Sequence, residues 1–277
     1  MGVNMEILEI ERSIIKKFRK TLWGRFIRGV NEYKMVSSGD KIAVCISGGK
    51  DSMIMAKLFQ ELKKHGQVDF ELVFLVMDPG YNEVNREMVN KNLALLGIDA
   101  HIFKSGIFEV VEDIAHDNPC YLCARMRRGA LYSEAQKLGC NKIALGHHFD
   151  DVIETIMLNI LYAGEYKTMM PKLKSTNFEN MELIRPMYYV KEEDIIEWSK
   201  YCDLKFINCA CIRTANLCGV DEGKRKEIKK LIKSLKEVNP NVDINILRSS
   251  ENVSIDAIIG YKDSSGEVSF LDNYDKD

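Results

Sequence analysis

Ser47-Gly48-Gly49-Lys50-Asp51-Ser52 puts two glycines, two hydroxyls, an ammonium and a carboxylate side by side. Adjacent glycines let a backbone turn tightly and come close to a ligand. A helix starting after them offers unpaired N–H groups and positive dipole character, both suited to phosphate. Ser47 and Ser52 add hydroxyl donors, Lys50 adds charge, and Asp51 can hold Mg2+ directly or through water. The string is neither a Walker A nor a GxGxxG pattern. A pair of glycines alone would fit any tight turn, but a plain turn does not need the rest of the string.

A second polar cluster, His147-His148-Phe149-Asp150-Asp151, follows Lys142-Ile143-Ala144-Leu145-Gly146. Capping of a following helix accounts for one of its acids. It leaves two histidines and the other acid unexplained. Direct metal binding is one reading of His-His-x-Asp-Asp. Beside a phosphate loop, Mg2+ coordination by Asp151 and a phosphate contact from His147 are the more economical roles. Cysteines form a third group. Cys120-Tyr121-Leu122-Cys123 is a CxxC, and Cys209-Ala210-Cys211 lies far along the chain, with Cys218 beyond it. A CxxC alone is open to structural zinc, a redox dithiol or iron–sulfur ligation. Cys45 lies on an apolar run and reads as core, and Cys140 and Cys202 read as structural.

These residues need elements to position them. Lys41–Ile46, Phe70–Met77, Ala100–Phe103 and Lys142–Leu145 read as strands, the second nearly all apolar as in a sheet covered on both faces. Ser52–Lys64, Asn82–Leu96, Arg125–Leu138 and Asp151–Tyr162 read as helices, followed by helices over 191–201 and 223–238. This alternation predicts an α/β fold with a doubly wound, mostly parallel sheet. Ligands bind such a sheet beyond the C-terminal strand ends. That edge gathers Ser47, Asp78 and Gly146–Asp151, with the backbone of Val76 and Met77 beside them. The division expected is residues 1–37 as an N-terminal helical extension, 38–202 as the central α/β domain, and 203–277 as a cysteine-bearing segment, basic helix and tail.

The 277 residues carry a formal net charge of -2, unlike a strongly basic nucleic-acid binder. The charge is uneven: Lys16, Lys17, Arg19, Lys20, Arg25 and Arg28 surround Phe18, Trp23 and Phe26, and seven basic residues fall within 224–236. Such tracts are solvated helix faces or local phosphate-binding surfaces. No run reaches the roughly 18–20 apolar residues of a membrane span. Early acids at Glu6, Glu9 and Glu11 depart from a secretory signal, so a cytoplasmic protein is expected.

SGGKDS after IAVCI resembles the signature of the ATP pyrophosphatase superfamily, whose fold is adenine nucleotide alpha hydrolase-like and whose members cleave ATP between its α and β phosphates. PCYLCARMRRGALY, KIALGHHFDDVIETIMLNILYAG and MMPKL, in that order, resemble the tRNA 2-thiocytidine synthetase family over roughly residues 20–260. The resemblance implies an ATP-dependent transferase that thiolates cytidine 32 in a tRNA anticodon loop. It implies ATP, Mg2+ and a 4Fe–4S cluster as cofactors, and a cysteine desulfurase or other sulfide source as partner. By that likeness Ser47, Gly48, Gly49, Lys50, Asp51, Ser52, Val76, Met77, Gly146, His147 and Asp151 bind the nucleotide, and Asp51 and Asp151 the magnesium. Cys120, Cys123 and Cys209 are the cluster ligands, and with Lys50 and Asp51 they form the catalytic set. The family usually separates its later cysteines by two residues, so Cys209-Ala210-Cys211 leaves Cys211 as the alternative and Cys218 third. Basic residues of 16–28 and 125–128, with Trp23 and Phe26, are candidates for the RNA contact, and Lys172 for the activated base or the phosphates. Thiolation of another tRNA nucleoside, a non-catalytic tRNA- or nucleotide-binding protein, and a homodimer built on the N-terminal helix remain open.

Overall fold

The computed structural model describes residues 6–105, 119–207 and 220–274. Strands β1 (Lys41–Ile46), β2 (Glu71–Asp78), β3 (Ala100–Lys104), β4 (Lys142–Ala144), β5 (Lys172–Lys174) and β6 (Glu182–Ile184) form one sheet in the order β3-β2-β1-β4-β6-β5. All neighbours are parallel except β5, which runs antiparallel to β6 at the edge. The strand order reverses between β1 and β4, so the loops after these two strands diverge and leave a crevice.

Helices cover both faces. Helices α1 (Ile7–Ile15), α2 (Gly24–Glu32), α3 (Lys50–His65) and α4 (Glu83–Leu95), with α7 (Glu192–Tyr201), enclose the larger core, in which Ile14, Leu22, Phe26, Phe59, Met53 and Trp198 are fully buried against Val44, Ile46 and Val76. The opposite face, with Ala43, Cys45, Leu75, Ile143 and Leu183, packs under Tyr132 and Ala135 of α5 (Pro119–Lys137). A third cluster joins α6 (Phe149–Leu158) to α8 (Val220–Val238) and α9 (Val242–Glu251) through Ile153, Ile156, Ile228, Ile232 and Leu247. Residues 260–263 and 266–269 make a separate two-stranded ribbon.

Several boundaries differ from the sequence expectation. The helix after the glycine loop begins at Lys50, not Ser52, so Lys50 and Asp51 occupy its first turn. Helix α5 begins at Pro119, so the backbone of Cys120 and Cys123 lies in its first turn. The expected helix 151–162 begins at Phe149 and passes after Leu158 into a π-helical turn, Asn159–Ala163, closed by left-handed Gly164. Cys45, Cys140 and Cys202 are buried, as their apolar surroundings implied. Phe26 is fully buried beneath Trp23 and Phe59, which removes it from any RNA contact. Among the described residues no helix is long and apolar enough to cross a membrane.

Candidate active site

The loop after β1 is shaped by its glycines. Gly48 has φ +84°, and a Cβ there would stand 2.7 Å from both Ile207 Cδ1 and Val89 Cγ2. Only glycine fits that space without displacing two core side chains. Ser52 pulls the turn together: its hydroxyl donates to Gly49 O at 2.9 Å and accepts from Ser47 N at 3.1 Å. Tyr81 donates to Ser47 O at 3.0 Å and braces the loop from the next strand's end. The backbone thus delivers the free N-terminus of a 16-residue helix to the crevice.

Lys50 does not point idly into solvent. Its ammonium lies 3.2 Å from Asp51 and 3.1 Å from Glu192 at the start of α7. Burial alone would lower its pKa, but Asp51 and Glu192 outweigh that and raise it. Glu192 is pushed up by burial, yet Lys229 and Lys50 hold its carboxyl down to about 2. Asp51 Oδ1 is buried without a hydrogen-bond partner among the described residues.

The loop after β4 brings the second cluster alongside. A Cβ on Gly146 would stand 3.2 Å from both Ser52 N and Ser52 Cα, so this loop touches the backbone of the first turn of α3. The helix cap is His148 rather than an acid: its Nδ1 accepts from Asp151 N at 3.4 Å, and Asp151 Oδ2 accepts from His148 N at 3.1 Å. That reciprocal box fixes Asp151 at the third helical position. Asp150 accepts from Glu192 N at 2.7 Å and so anchors α7. Asp51 Oδ1 and Asp151 Oδ2 stand 3.9 and 3.5 Å from the same His148 Nε2. Arg225 of α8 reaches Asp151 at 2.9 Å and Glu154 at 3.7 Å. Burial and nearby Arg185 depress the His147 pKa, keeping the ring neutral, and its Nδ1 has no partner among the described residues.

These groups border a cavity of about 380 Å3. Ser47, Asp51, Ser52, Gly146, His147 and Asp151 line its polar side. Cys45, Met77, Leu131 and Leu145 give an apolar wall, and Arg127 and Arg128 of α5 close it. Val76 is placed elsewhere: it is paired to Ile46 on one side and Ile102 on the other, and borders a smaller neighbouring cavity. Asp78 serves the turn, accepting from Gly80 N and Tyr81 N at 2.9 and 2.7 Å and pairing with Arg86. Lys172 meets Lys34 O at 3.0 Å and Glu182 at 3.2 Å and is not among the residues that line the cavity. Gly49 is the residue before α3. Cys209, Cys211 and Cys218 lie outside the described residues, as do the thiols of Cys120 and Cys123. Among the described residues no three His, Cys, Asp or Glu side chains gather into a metal site. Sequence reasoning missed Glu192, Arg225, Glu154 and Arg185, because each lies on an element whose approach to the crevice depends on tertiary folding.

Known proteins share this arrangement. Residues 22–213 match the family described as the PP-loop domain. The chain is 37% identical over 250 residues to a tRNA-cytidine(32) 2-sulfurtransferase of Alcanivorax borkumensis, covering 88% of this chain and 84% of that protein. It is 36% identical over 228 residues to the protein of the same description from Citrifermentans bemidjiense, covering 82% and 88%. Among solved structures, the U34-tRNA thiolase NcsA from Methanococcus maripaludis, with its 4Fe–4S cluster, superposes with a TM-score of 0.64 at 25% identity, covering 88% of this chain and 77% of that one. With its glycine loop, its sheet and its relatives in agreement, the chain belongs to the PP-loop family, in the group of the tRNA-cytidine(32) 2-sulfurtransferases.

Proposed function

We propose that this protein is an ATP-dependent tRNA thiolase that replaces the C2 oxygen of cytidine 32 with sulfur, releasing AMP and pyrophosphate. The observation that carries the reading is the union, in one cavity, of the Ser47–Ser52 loop at a helix N-terminus with His147, Asp151, Arg127 and Arg128. The family supplies the rest.

The residues fit a magnesium nucleotide. Gly48 and Gly49 leave a cradle without side chains, and Ser47, Ser52 and the first turn of α3 offer donors to pyrophosphate. Asp51 and Asp151 converge on one histidine nitrogen, and Asp51 Oδ1, 3.2 Å from the Lys50 ammonium, has no hydrogen-bond partner among the described residues. One or two carboxylates completed by substrate phosphates are a usual Mg2+ site, so three protein ligands are not needed. Lys50 is held charged, ready to exchange Glu192 for a phosphate oxygen. Met77 and Leu145 suit an adenine ring, and His147 offers a neutral ring nitrogen to phosphate.

Cytidine O2 is a poor leaving group. Its attack on the α-phosphorus expels pyrophosphate, and Lys50 and the helix N-terminus stabilise the charge that develops. Sulfur then bonds to C2, and AMP departs with the original oxygen. Thiolates at Cys120, Cys123 and Cys209 have the donor chemistry for iron–sulfur ligation, and a 4Fe–4S cluster held by three of them would supply an open iron for sulfide. Cys209 is assigned over Cys211 because Phe206-Ile207 anchors the segment next to it, with Ile207 buried beside Gly48. Iron and sulfide content after anaerobic reconstitution tests this: Cys209→Ala is expected to lose the cluster and Cys218→Ala to keep it. Retention in Cys209→Ala with loss in Cys211→Ala reverses the assignment.

A cytoplasmic setting and a cysteine desulfurase or free sulfide as donor complete the proposal. The test is mass analysis of tRNA nucleosides from a strain lacking the gene, with restoration by the purified protein, tRNA, Mg–ATP and sulfide. Loss of 2-thiocytidine at position 32 is expected. Loss of a thiouridine instead would favour the U34 chemistry named for the structural relative.

A further inference from the structure

Beyond the cavity, the described surface carries a concentrated run of exposed apolar side chains between residues 160 and 173. Leu161, Tyr162, Tyr166 and Met170 are 52%, 46%, 50% and 49% exposed. The two tyrosines are tethered at their hydroxyls, Tyr162 to Glu227 at 2.6 Å and Tyr166 to Ser249 at 2.8 Å. Pinning the polar tip fixes each ring while leaving much of it uncovered, so little rotamer entropy remains to be lost on contact. Left-handed Gly164 turns the chain between them, and Asn159 closes the loop by donating to Lys167 O at 2.8 Å.

This segment is joined to the active cavity at both ends. At its start it continues α6, whose first turn holds Asp151, so Tyr162 lies about 15 Å further along the helix. At its end, Arg185 donates to Met170 O from its side chain and to Pro171 O from its backbone. Arg185 follows β6, beside Leu145 on the cavity wall. Along α8 seven basic residues outnumber four acids, Glu227 at the Tyr162 hydroxyl among them. Lys224 sits 5.2 Å from the Tyr162 ring centre. Along α8, Lys224, Lys226, Lys230 and Lys233 have no carboxylate partner among the described residues, unlike Arg225, Lys229 and Lys236.

We infer that the Tyr162–Met170 rim, with the lysines of α8, is the surface on which the single-stranded anticodon loop docks, its bases stacking on Tyr162 and Tyr166 while the target base enters the cavity. This rests on the tRNA-thiolase reading and names the RNA surface that reading requires. Exposed aromatics beside a lysine-rich helix match a polyanion with unstacked bases. A second copy of this chain, with a formal net charge of -2, is the competing occupant and offers no comparable excess of negative charge.

The experiment measures three quantities on the full-length, cluster-loaded protein: affinity for a synthetic anticodon stem-loop, ATP affinity, and mass in solution. Tyr162→Ala/Tyr166→Ala is expected to weaken stem-loop binding roughly tenfold or more, the size of a lost base–aromatic stack, with ATP affinity unchanged. Tyr162→Phe should bind like wild type, because the ring matters and the tether to Glu227 does not. Lys226→Ala/Lys230→Ala should flatten the salt dependence of binding. Unchanged stem-loop affinity in the double tyrosine variant overturns the inference even if wild type thiolates tRNA. Loss of a dimer in that variant with unchanged RNA affinity overturns it in favour of a second copy. A wild-type protein that neither binds nor thiolates tRNA overturns the parent reading, and this inference with it.

Discussion

Lys50 and Asp51 are held so differently that their loss should read out differently. Lys50→Ala removes the ammonium between Asp51 and Glu192, leaving Glu192 with Lys229. Pyrophosphate release is expected to fall roughly a hundredfold or more, as for other losses of a positioned charge donor. Asp51→Ala should lower turnover and raise the Mg2+ concentration for half-maximal rate. Near-normal turnover in a folded Asp51→Ala protein would remove Asp51 from the metal site. Glu154 gives a pH signature. Burial outweighs Arg225 at 3.7 Å and holds its carboxyl up to about 7, above the ordinary 4.5. Folding therefore favours the protonated form: the contribution is fully present below pH 4.5 and is lost as pH rises through 7. Glu154→Gln should match wild-type stability near pH 4 and exceed it by on the order of 2 kcal/mol at pH 8. A stability difference that stays flat across melts from pH 4 to 8 would defeat this account. The loop residues were legible in the sequence because a contiguous string carries its own chemistry. Glu154 was not, since on a helix it reads as an ordinary surface acid until α8 covers it.

The loop after β4 meets the backbone of α3's first turn, whereas Gly48 meets core side chains, which makes the glycines separable by experiment. Gly146→Ala brings a Cβ to 3.2 Å from Ser52 N, and Gly48→Ala meets two side chains at 2.7 Å with φ at +84°. Both should lower stability by about 1–3 kcal/mol and impair pyrophosphate release. Gly49→Ala, whose nearest side-chain contact is Ser47 Oγ at 3.7 Å, should melt within a degree or two of wild type. Equal melting temperatures for all three variants would mean that these close contacts are absent. β1 to β4 were readable from apolar runs between turn signals. β5 and β6 were not: three residues each carry no usable period, and they exist because β6 pairs with β4 and extends the sheet. Arg185, placed by β6 beside the cavity wall, went unseen for the same reason.

The N-terminal helices bear on how the molecule holds together. An appendage that binds RNA would be removable; a wall of the core would not. Ile10, Ile14, Phe18, Leu22 and Phe26 are each at most 3% exposed, and they share one cluster with the sheet residues Val44 and Ile46. The sequence marked residues 1–37 as a helical extension, but what covers its apolar side chains is a tertiary fact. Glu11 of α1 reports on the docking, because it pairs with both Lys57 and Lys64 of α3. Lys57 of α3 has no exposed side-chain surface, and its ammonium meets Glu11 of α1 at 2.9 Å, Gln60 at 2.7 Å and Leu96 O at 2.9 Å. Burial lowers the Lys57 pKa despite the opposing pull of Glu11. Glu11→Gln leaves that ammonium buried without its carboxylate and should cost roughly 3 kcal/mol. Adding Lys57→Met removes the stranded charge and keeps the volume, so much of the loss should return. Urea melts of wild type, single and double variants, with stem-loop affinity measured alongside, decide the matter. A stability loss in Glu11→Gln that Lys57→Met reverses, at constant RNA affinity in the folded proteins, makes α1 a wall of the core. Wild-type melting in Glu11→Gln with weakened RNA binding would return the N-terminal helices to the RNA surface.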